Sequence, residues 1–348
     1  MIGLLYVTFH KIRCAYESNK YPSPYASVTV DSKEMSLCVQ GRGEHTIVLL
    51  PGLGTTAPIL DFEPLADQLA KNNRVVTVEP FGYGWSDLTD SPRTVQNEVS
   101  ELREALQSAE IEGPYILMAH SVSGLDAIYY ANTYPEEVEA VVGIDCTLPR
   151  MTEYFEEAAP AQISSSLGYL CDLGVMRLIC MIAPDNFISD NTNALYSKEN
   201  LQNQKFLASR MSNNTTVINQ SNHIAENIEL THDLTFDSNL PILFFTRDDS
   251  DKQPRSDHKT SVSFFESYIS NPDLQSVVAM NAHHYMHWSK AKEMADQDTA
   301  DYAVITIYDP FSAAFERIPN AYKKVLEYLQ ANGFREKPKD DILSCFEH

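Results

Sequence analysis

The sequence predicts an α/β fold in which a mostly parallel central sheet is flanked by helices and interrupted by a helical insertion. Two observations predict the sheet. Continuous apolar runs recur along the chain, and segments with helical periodicity alternate with them. Strands buried on both faces of a parallel sheet have such runs, and the alternation is typical of βαβ units. A third observation predicts the insertion, because the alternation stops after Cys146 and resumes only near residue 241.

The chain opens with "MIGLLYVTF", which is too short for a signal peptide and is interpreted as an amphipathic first strand or helix. No run approaches the roughly 20 apolar residues that span a bilayer. Residues 26–40, "ASVTVDSKEMSLCVQ", alternate on either side of Asp31-Ser32-Lys33 and predict a β-hairpin.

Four buried strands and three helices follow in the first half. Apolar residues spaced by three or four predict the first two helices, and residues 123–134 form the third. The strands are "TIVLLPG" (46–52), "RVVTVEPFGYG" (74–84), "YILMA" (115–119) and "VEAVVGID" (138–145), and the spaced apolar residues are Phe62, Leu65 and Leu69, then Val95, Val99, Leu102 and Leu106.

The second half completes the sheet after a helical stretch. We predict a core over residues 1–146, a helical cap over 147–236, and the rest of the core with an extended C-terminal segment over 237–348. The predicted elements of that last part are strands at 241–246, 274–280 and 301–308 and helices at 261–270 and 315–334.

The composition indicates a soluble globular protein. The formal net charge is −22, from 48 acidic against 26 basic residues, which argues against a nucleic-acid or anionic-membrane partner. Six scattered cysteines without a CxxC motif are expected to be free thiols in a reducing compartment. We therefore expect a cytoplasmic protein, with attachment through an N-terminal anchor missing from this sequence as the alternative. The oligomeric state is not determined by the sequence.

A serine stands where one strand gives way to a helix. In "YILMAHSVSGLDAIYY", Ser121 has the small residues Ala119 and Ser123 two positions away on either side. A sharp strand-to-helix turn needs small neighbours and can expose one strained nucleophilic residue. The alternative interpretation is a serine that only caps the helix.

Four segments in order carry a family resemblance: "LLPGLGTT", "VEPFGYGWSD", "LMAHSVSGLDAIYYANTYPEEV" and "VVGIDCTLP". Over residues 44–149, and more weakly over 238–290, the chain resembles the α/β-hydrolase fold superfamily. More narrowly it resembles bacterial hydrolases with an H-S-x-S-G elbow, some of which carry an N-terminal membrane anchor. The resemblance implies that the insertion is a cap and that neither a metal nor an organic cofactor is needed.

The resemblance also implies roles for individual residues. Ser121 is the nucleophile, and the N–H groups of Val122 and Leu53 form the oxyanion hole, with Gly54 as the alternative to Leu53. A serine needs a base, and the cluster "NAHHYMHWS" supplies His284, with His283 and His287 as alternatives. A metal site is disfavoured there, because no matched carboxylate spacing accompanies the histidines.

The base needs a carboxylate partner between residues 121 and 284. The segment "PILFFTRDDSD" after a predicted strand offers Asp249, which we favour, and Asp248. Asp145 at the end of "VVGID" is the second alternative, since some family members place the acid one strand earlier.

These features predict a serine hydrolase that cleaves a carboxylic ester or a related acyl compound through an acyl-enzyme, with a small acyl compound as its partner. An iminopeptidase-like amidase that uses Glu153, Glu156 and Glu157, or a non-catalytic binding member of the fold, are the alternatives. The cap residues expected to roof an apolar pocket are Tyr154, Phe155, Leu167, Tyr169 and Met176.

Overall fold

The structure is a computed structural model that describes residues 2–158, 160–249 and 257–300. The strand predicted at 301–308, the helix predicted at 315–334 and Cys345 lie outside the described residues. The other five cysteines are free, as predicted.

An eight-stranded sheet forms the centre of the molecule, in the order β1-β2-β4-β3-β5-β6-β7-β8. The predicted hairpin is confirmed as β1 and β2, which pair antiparallel, and β2 pairs antiparallel with β4. All other neighbours are parallel, so the predicted class is confirmed. The strands are Ala26–Val30 (β1), Lys33–Gln40 (β2), Thr46–Leu50 (β3), Arg74–Val78 (β4), Tyr115–His120 (β5), Val138–Ile144 (β6), Ile242–Arg247 (β7) and Gln275–Met280 (β8).

The α-helices begin at capping residues that the sequence supplies in several cases. Thr94 caps α4 by accepting a hydrogen bond from the Asn97 N–H, and Asn214 caps α10 in the same way. The helices are Ile2–Lys20 (α1), Pro58–Asp61 (α2), Glu63–Leu69 (α3), Val95–Ser108 (α4), Gly124–Thr133 (α5), Met151–Phe155 (α6), Tyr169–Asp172 (α7), Val175–Ile182 (α8), Lys198–Met211 (α9), Thr215–Thr231 (α10), Ser261–Glu266 (α11) and His287–Ala300 (α12).

Successive strand residues point to opposite sides of the sheet, so the apolar runs place side chains on both faces. Helices cover both faces. Leu50 and the strand residues on the same face of the sheet pack under α4, α5 and α11. Leu49 and the strand residues on the opposite face pack under α3 and α12. Every residue of β3 is buried, which explains why this strand reads as a continuous apolar run.

The described residues between β6 and β7 form helices, turns and loops, and we call residues 147–236 the helical insertion. The opening segment, interpreted above as a strand or a helix, is the helix α1. It packs on the insertion, where Tyr6 donates a hydrogen bond to the Gly174 carbonyl at 2.8 Å. Within the described residues no single helix has the length and hydropathy of a bilayer span; one pair bent by 74°, Ser165–Asp172 with Val175–Ile182, reaches that hydropathy together.

The topology gathers the polar loops at one end of the sheet. Strands β3, β5, β6, β7 and β8 all run parallel, so their carboxyl ends lie along the same edge. Loops that follow such ends are the usual location of ligand sites in open α/β sheets.

Candidate functional site

Ser121 lies in a strained turn between β5 and α5. Its φ is 53°, in the left-handed region that non-glycine residues adopt at a cost of about 1–3 kcal/mol. The turn is tight, since a Cβ on Gly124 would lie 2.4 Å from the Thr147 carbonyl oxygen. The small residue Ser123 has a further role, because its hydroxyl donates a 2.6 Å hydrogen bond to the Pro51 carbonyl. This bond ties the elbow to the loop after β3.

The predicted base lies against the predicted nucleophile. His284 Nε2 is 2.9 Å from Ser121 Oγ, and His284 Nδ1 is 2.7 Å from Asp145 Oδ2. Because a carboxylate accepts, Nδ1 carries the proton and Nε2 is free to accept from the serine hydroxyl. The three side chains form one continuous line of hydrogen bonds.

Asp145 has a second charged partner. Arg247, the last residue of β7, donates from Nε to the same Oδ2 atom at 2.8 Å. The Asp145 side chain is only 5% exposed, whereas that of Arg247 is 30% exposed. The guanidinium compensates a buried carboxylate that would otherwise be costly to desolvate.

Asp249, the favoured acid, is not at His284. Its carboxylate accepts hydrogen bonds from the Ser261 N–H at 2.6 Å and the Ser261 hydroxyl at 3.0 Å, at the start of α11. The preference is corrected by the contacts: His284 Nδ1 lies 2.7 Å from Asp145 Oδ2, whereas these bonds of Asp249 go to Ser261. Asp248 also follows β7, and its N–H donates to the Met280 carbonyl at 3.1 Å.

The two alternative bases face other groups. His283 Nδ1 accepts a hydrogen bond from the Tyr285 N–H at 3.0 Å, and burial lowers the pKa of His283. His287 is fully buried, with Nε2 2.7 Å from Asp61 Oδ2. Of the three candidates, His284 is the one in contact with Ser121.

His120 packs against His284, with a ring centroid distance of 4.8 Å. It is fully buried, and its Nε2 donates to the His284 carbonyl at 3.2 Å. Its Nδ1 has no partner among the described residues. Burial and the charges of neighbouring His287 and His284 lower the pKa of His120 well below its usual value. It is therefore a neutral support for the loop that carries His284.

The loop after β3 presents Leu53 as the donor predicted for an oxyanion hole. The Gly54 N–H, the alternative donor, is already bonded to the Tyr83 hydroxyl at 3.1 Å. Across the part of the chain that is described, the Leu53 N–H makes no hydrogen bond. Tyr83 in turn donates to Gln220 Oε1 on α10. The geometry thus leaves Leu53 available and anchors the loop through its neighbour.

A polar cluster around Asp61 joins three parts of the chain beside this site. Asp61 is 5% exposed and accepts from His287 and Trp288 of α12 at 2.7 Å each and from Ser189 of the insertion at 2.9 Å. A cavity of about 220 Å³ adjoins it, and its lining includes Gly54, Thr55, Tyr285 and Trp288. Sequence reasoning missed Asp61, because nothing in "PILDF" distinguishes it from an ordinary helical acid.

The cap residues only partly match their predicted role. The rings of Tyr154 and Phe155 contact Phe264 of α11 in tilted arrangements, with centroid distances of 5.3 and 5.6 Å, and Met176 is buried. Leu167 and Tyr169 are 41% and 59% exposed, so they do not roof a pocket.

The carboxylates of the amidase alternative are on the surface. Glu153 pairs with His232 at 3.2 Å and Glu156 with Lys259 at 3.1 Å, and both are more than 70% exposed. Among the described residues, no group of three or more His, Cys, Asp or Glu side chains is arranged to hold a metal ion.

Comparison with known proteins identifies the family of the chain. Residues 47–297 match the sequence profile of the alpha/beta hydrolase family. YbdG of Bacillus subtilis is 26% identical over 209 residues, which cover 58% of this chain and 64% of YbdG. The serine hydrolase BPHL of Mus musculus is 31% identical over 124 residues, which cover 34% of this chain and 41% of BPHL. The chain therefore spans less than two thirds of either relative.

Solved structures share the fold at low sequence identity. Cfl2 from Burkholderia cenocepacia superposes with a TM-score of 0.57 at 17% identity, covering 78% of this chain and 93% of Cfl2. ALR0039 from Nostoc sp PCC 7120 superposes with a TM-score of 0.61 at 14% identity, covering 82% of this chain and 98% of ALR0039.

Proposed function

The chain belongs to the alpha/beta hydrolase family, and from this premise we propose that it is a serine hydrolase that cleaves a carboxylic ester or a related acyl compound. One observation carries the proposal: the unbroken line of hydrogen bonds from Ser121 through His284 to Asp145, at 2.9 and 2.7 Å. The relative BPHL is named a serine hydrolase, which supports the same class of nucleophile.

In the proposed reaction, Ser121 Oγ attacks the acyl carbonyl while His284 Nε2 takes its proton. Asp145 holds the imidazole in the tautomer with the proton on Nδ1 and stabilises the imidazolium that forms. The N–H groups of Leu53 and Val122 stabilise the oxyanion. His284 then protonates the leaving group, and water resolves the acyl-enzyme by the same steps.

Fluorophosphonate labelling tests the nucleophile directly. The wild-type protein should form one adduct at Ser121, mapped by peptide mass spectrometry, and Ser121→Ala should form none. Ser123→Ala is the matched control, because it removes a neighbouring hydroxyl that donates to Pro51 rather than to His284. Labelling elsewhere, or no labelling of the wild type, would contradict the proposal and favour a non-catalytic binding role.

A panel of substrates tests the leaving group. We expect p-nitrophenyl esters to be hydrolysed and proline p-nitroanilide to be left intact. The amidase alternative needs carboxylates of the helical insertion to hold a free amino terminus, but Glu153 and Glu156 are exposed. Faster turnover of the anilide than of any ester would refute the ester assignment while leaving the nucleophile intact.

A further inference from the structure

Exposed apolar side chains are concentrated on two elements of the chain. Of the seventeen large apolar side chains that are exposed among the described residues, thirteen lie at positions 4–16 or 163–182. Scattered exposed apolar residues are normal, but a concentration marks an interaction site. We call the following set the apolar face: Leu4, Leu5, Phe9, Ile12 and Tyr16 of α1, with Leu178, Ile179, Met181 and Ile182 of α8.

The helix α1 turns two polar side chains inward and exposes an apolar row. Its inner row includes His10 and Glu17, which are 2% and 6% exposed, and the Glu17 carboxylate accepts hydrogen bonds from Arg177 of α8 at 2.6 and 3.0 Å. Its outer row contains Leu5, at 64% exposure, and other apolar residues three or four positions apart. A helix on a water-facing surface has the opposite arrangement.

The contacts between α1 and α8 make their outer rows neighbours. Besides the pair of Glu17 and Arg177, Tyr6 donates to the Gly174 carbonyl at 2.8 Å, immediately before α8. The most exposed residues of α8 are Met181 and Ile182, at 74% and 84%. The apolar face is therefore shared by two packed helices rather than formed by one.

The local charge favours one kind of occupant for this face. Residues 2–20 and 163–182 contain two acids, Glu17 and Asp172, against four bases, although the whole chain has a net charge of −22. Both acids are already paired, with Arg177 at 2.6 Å and with Lys11 at 2.8 Å. A second copy docked through the same face would place this excess of bases against itself. An anionic lipid surface complements the excess of bases instead, so the argument from net charge does not apply to this face.

We propose that the apolar face docks on the surface of a lipid bilayer that contains anionic lipids. Leucine, isoleucine, methionine and phenylalanine side chains enter the boundary between headgroups and acyl chains, while the bases of α1 remain at the headgroups. Docking of this kind is reversible and lies in the plane of the interface, without a spanning helix. It does not depend on the proposed hydrolase activity.

Vesicle flotation tests this proposal with the full chain. The wild-type protein should float with phosphatidylcholine vesicles that contain about one third phosphatidylglycerol, and less with phosphatidylcholine alone. Met181→Glu combined with Ile182→Glu should weaken partitioning at least about tenfold, and Phe9→Glu should act similarly through α1. Both sets of residues are exposed, so thermal melting should be unchanged. Leu230→Glu on α10, a residue 44% exposed outside the face, is the matched control and should float like the wild type.

Three results would overturn the proposal. The first is a wild-type protein that floats with neither vesicle. The second is flotation of the face variants to the same extent as the wild type. The third is a dimer in light scattering that the Met181 and Ile182 substitutions dissociate without any vesicle binding, which would make a second copy the occupant of the face.

Discussion

Replacing Asp145 by Asn tests which acid partners His284. The amide oxygen can take the position of Oδ2 and satisfy both His284 Nδ1–H and Arg247 Nε–H, so the hydrogen bonds persist and only the charge is lost. An ion pair at 4 Å is worth about 4 kcal/mol at an effective dielectric of 20. Loss of that attraction to the imidazolium corresponds to about a 10³-fold fall in kcat.

The same substitution removes the carboxylate charge that faces Arg247. The distances from Oδ2 to the two nitrogens, 2.8 and 2.7 Å, add to 5.5 Å, which is the greatest separation of Arg247 Nε from His284 Nδ1. Two positive charges at that distance repel by about 3 kcal/mol at the same dielectric, and partial exposure of Arg247 reduces this to about 1 kcal/mol. Adding Arg247→Met to Asp145→Asn should therefore restore kcat by about fivefold to tenfold.

Steady-state hydrolysis of a soluble p-nitrophenyl ester measures both effects. Asp249→Asn is the matched control and should keep kcat within about threefold, since Asp249 bonds to Ser261. Arg103→Met, which breaks a comparably exposed surface pair with Glu137, should leave kcat unchanged in the Asp145→Asn background. A loss caused by Asp249→Asn that matches or exceeds that of Asp145→Asn would refute the assignment of the acid. Failure of Arg247→Met to restore activity would refute the electrostatic part of the reasoning.

Three further predictions concern the support of the site and the stability of the chain. Tyr83→Phe removes the acceptor of the Gly54 N–H, and steady-state kinetics should show kcat about tenfold lower with little change in KM, because the oxyanion loop is displaced. Burial raises the pKa of Glu79 to about 7 from 4.5, so the folded state holds a proton that the unfolded state releases. The stability from this group is complete below pH 4.5 and is lost as the pH rises through 7, by on the order of 3 kcal/mol; Glu79→Gln should flatten urea-unfolding stability over that range. Glu17→Ala leaves the buried Arg177 unpaired and should lower the free energy of unfolding by about 3 kcal/mol in the same assay.

Each of these predictions has a contrary outcome. An unchanged kcat in Tyr83→Phe would mean that the loop holds its position without the phenol. A Glu79→Gln protein whose stability still falls between pH 4.5 and 7 would assign that dependence to other groups. Lys11→Ala is the control for Glu17→Ala, because the exposed pair of Lys11 and Asp172 contributes about 0–1 kcal/mol; equal losses would contradict the weight given to burial.

Sequence periodicity was sufficient to predict the strands of the sheet and several of the helices that cover it. Buried strands such as β3 have apolar residues throughout because both faces are covered, and amphipathic helices such as α4 have one apolar stripe. These are local patterns, so they can be recognised in the sequence without knowledge of the tertiary structure. The positions of Ser121 and His284 were predicted for a related reason: each follows a strand that the pattern identifies, and the resemblance selected His284 among its neighbours.

The choice of acid could not be made in the same way. Asp145 and Asp249 both follow buried strands and both precede His284 in the chain. Only contacts in the folded chain distinguish them, because His284 Nδ1 lies 2.7 Å from Asp145 Oδ2 whereas the Asp249 carboxylate accepts hydrogen bonds from Ser261. Arg247 and Tyr83 were missed for the same reason, since each acts through a residue remote in sequence.

By itself the sequence determined the α/β class, the tight turn at Ser121 and the net negative charge, because these depend on composition and on spacing within short segments. Only the tertiary structure decided that Asp145 faces His284, that Gly54 is already bonded and Leu53 is not, and that α1 turns Glu17 inward onto Arg177. Each of these depends on contacts between segments far apart in the chain, and a hydrogen bond or ion pair forms only where the fold brings its two groups within about 3 Å.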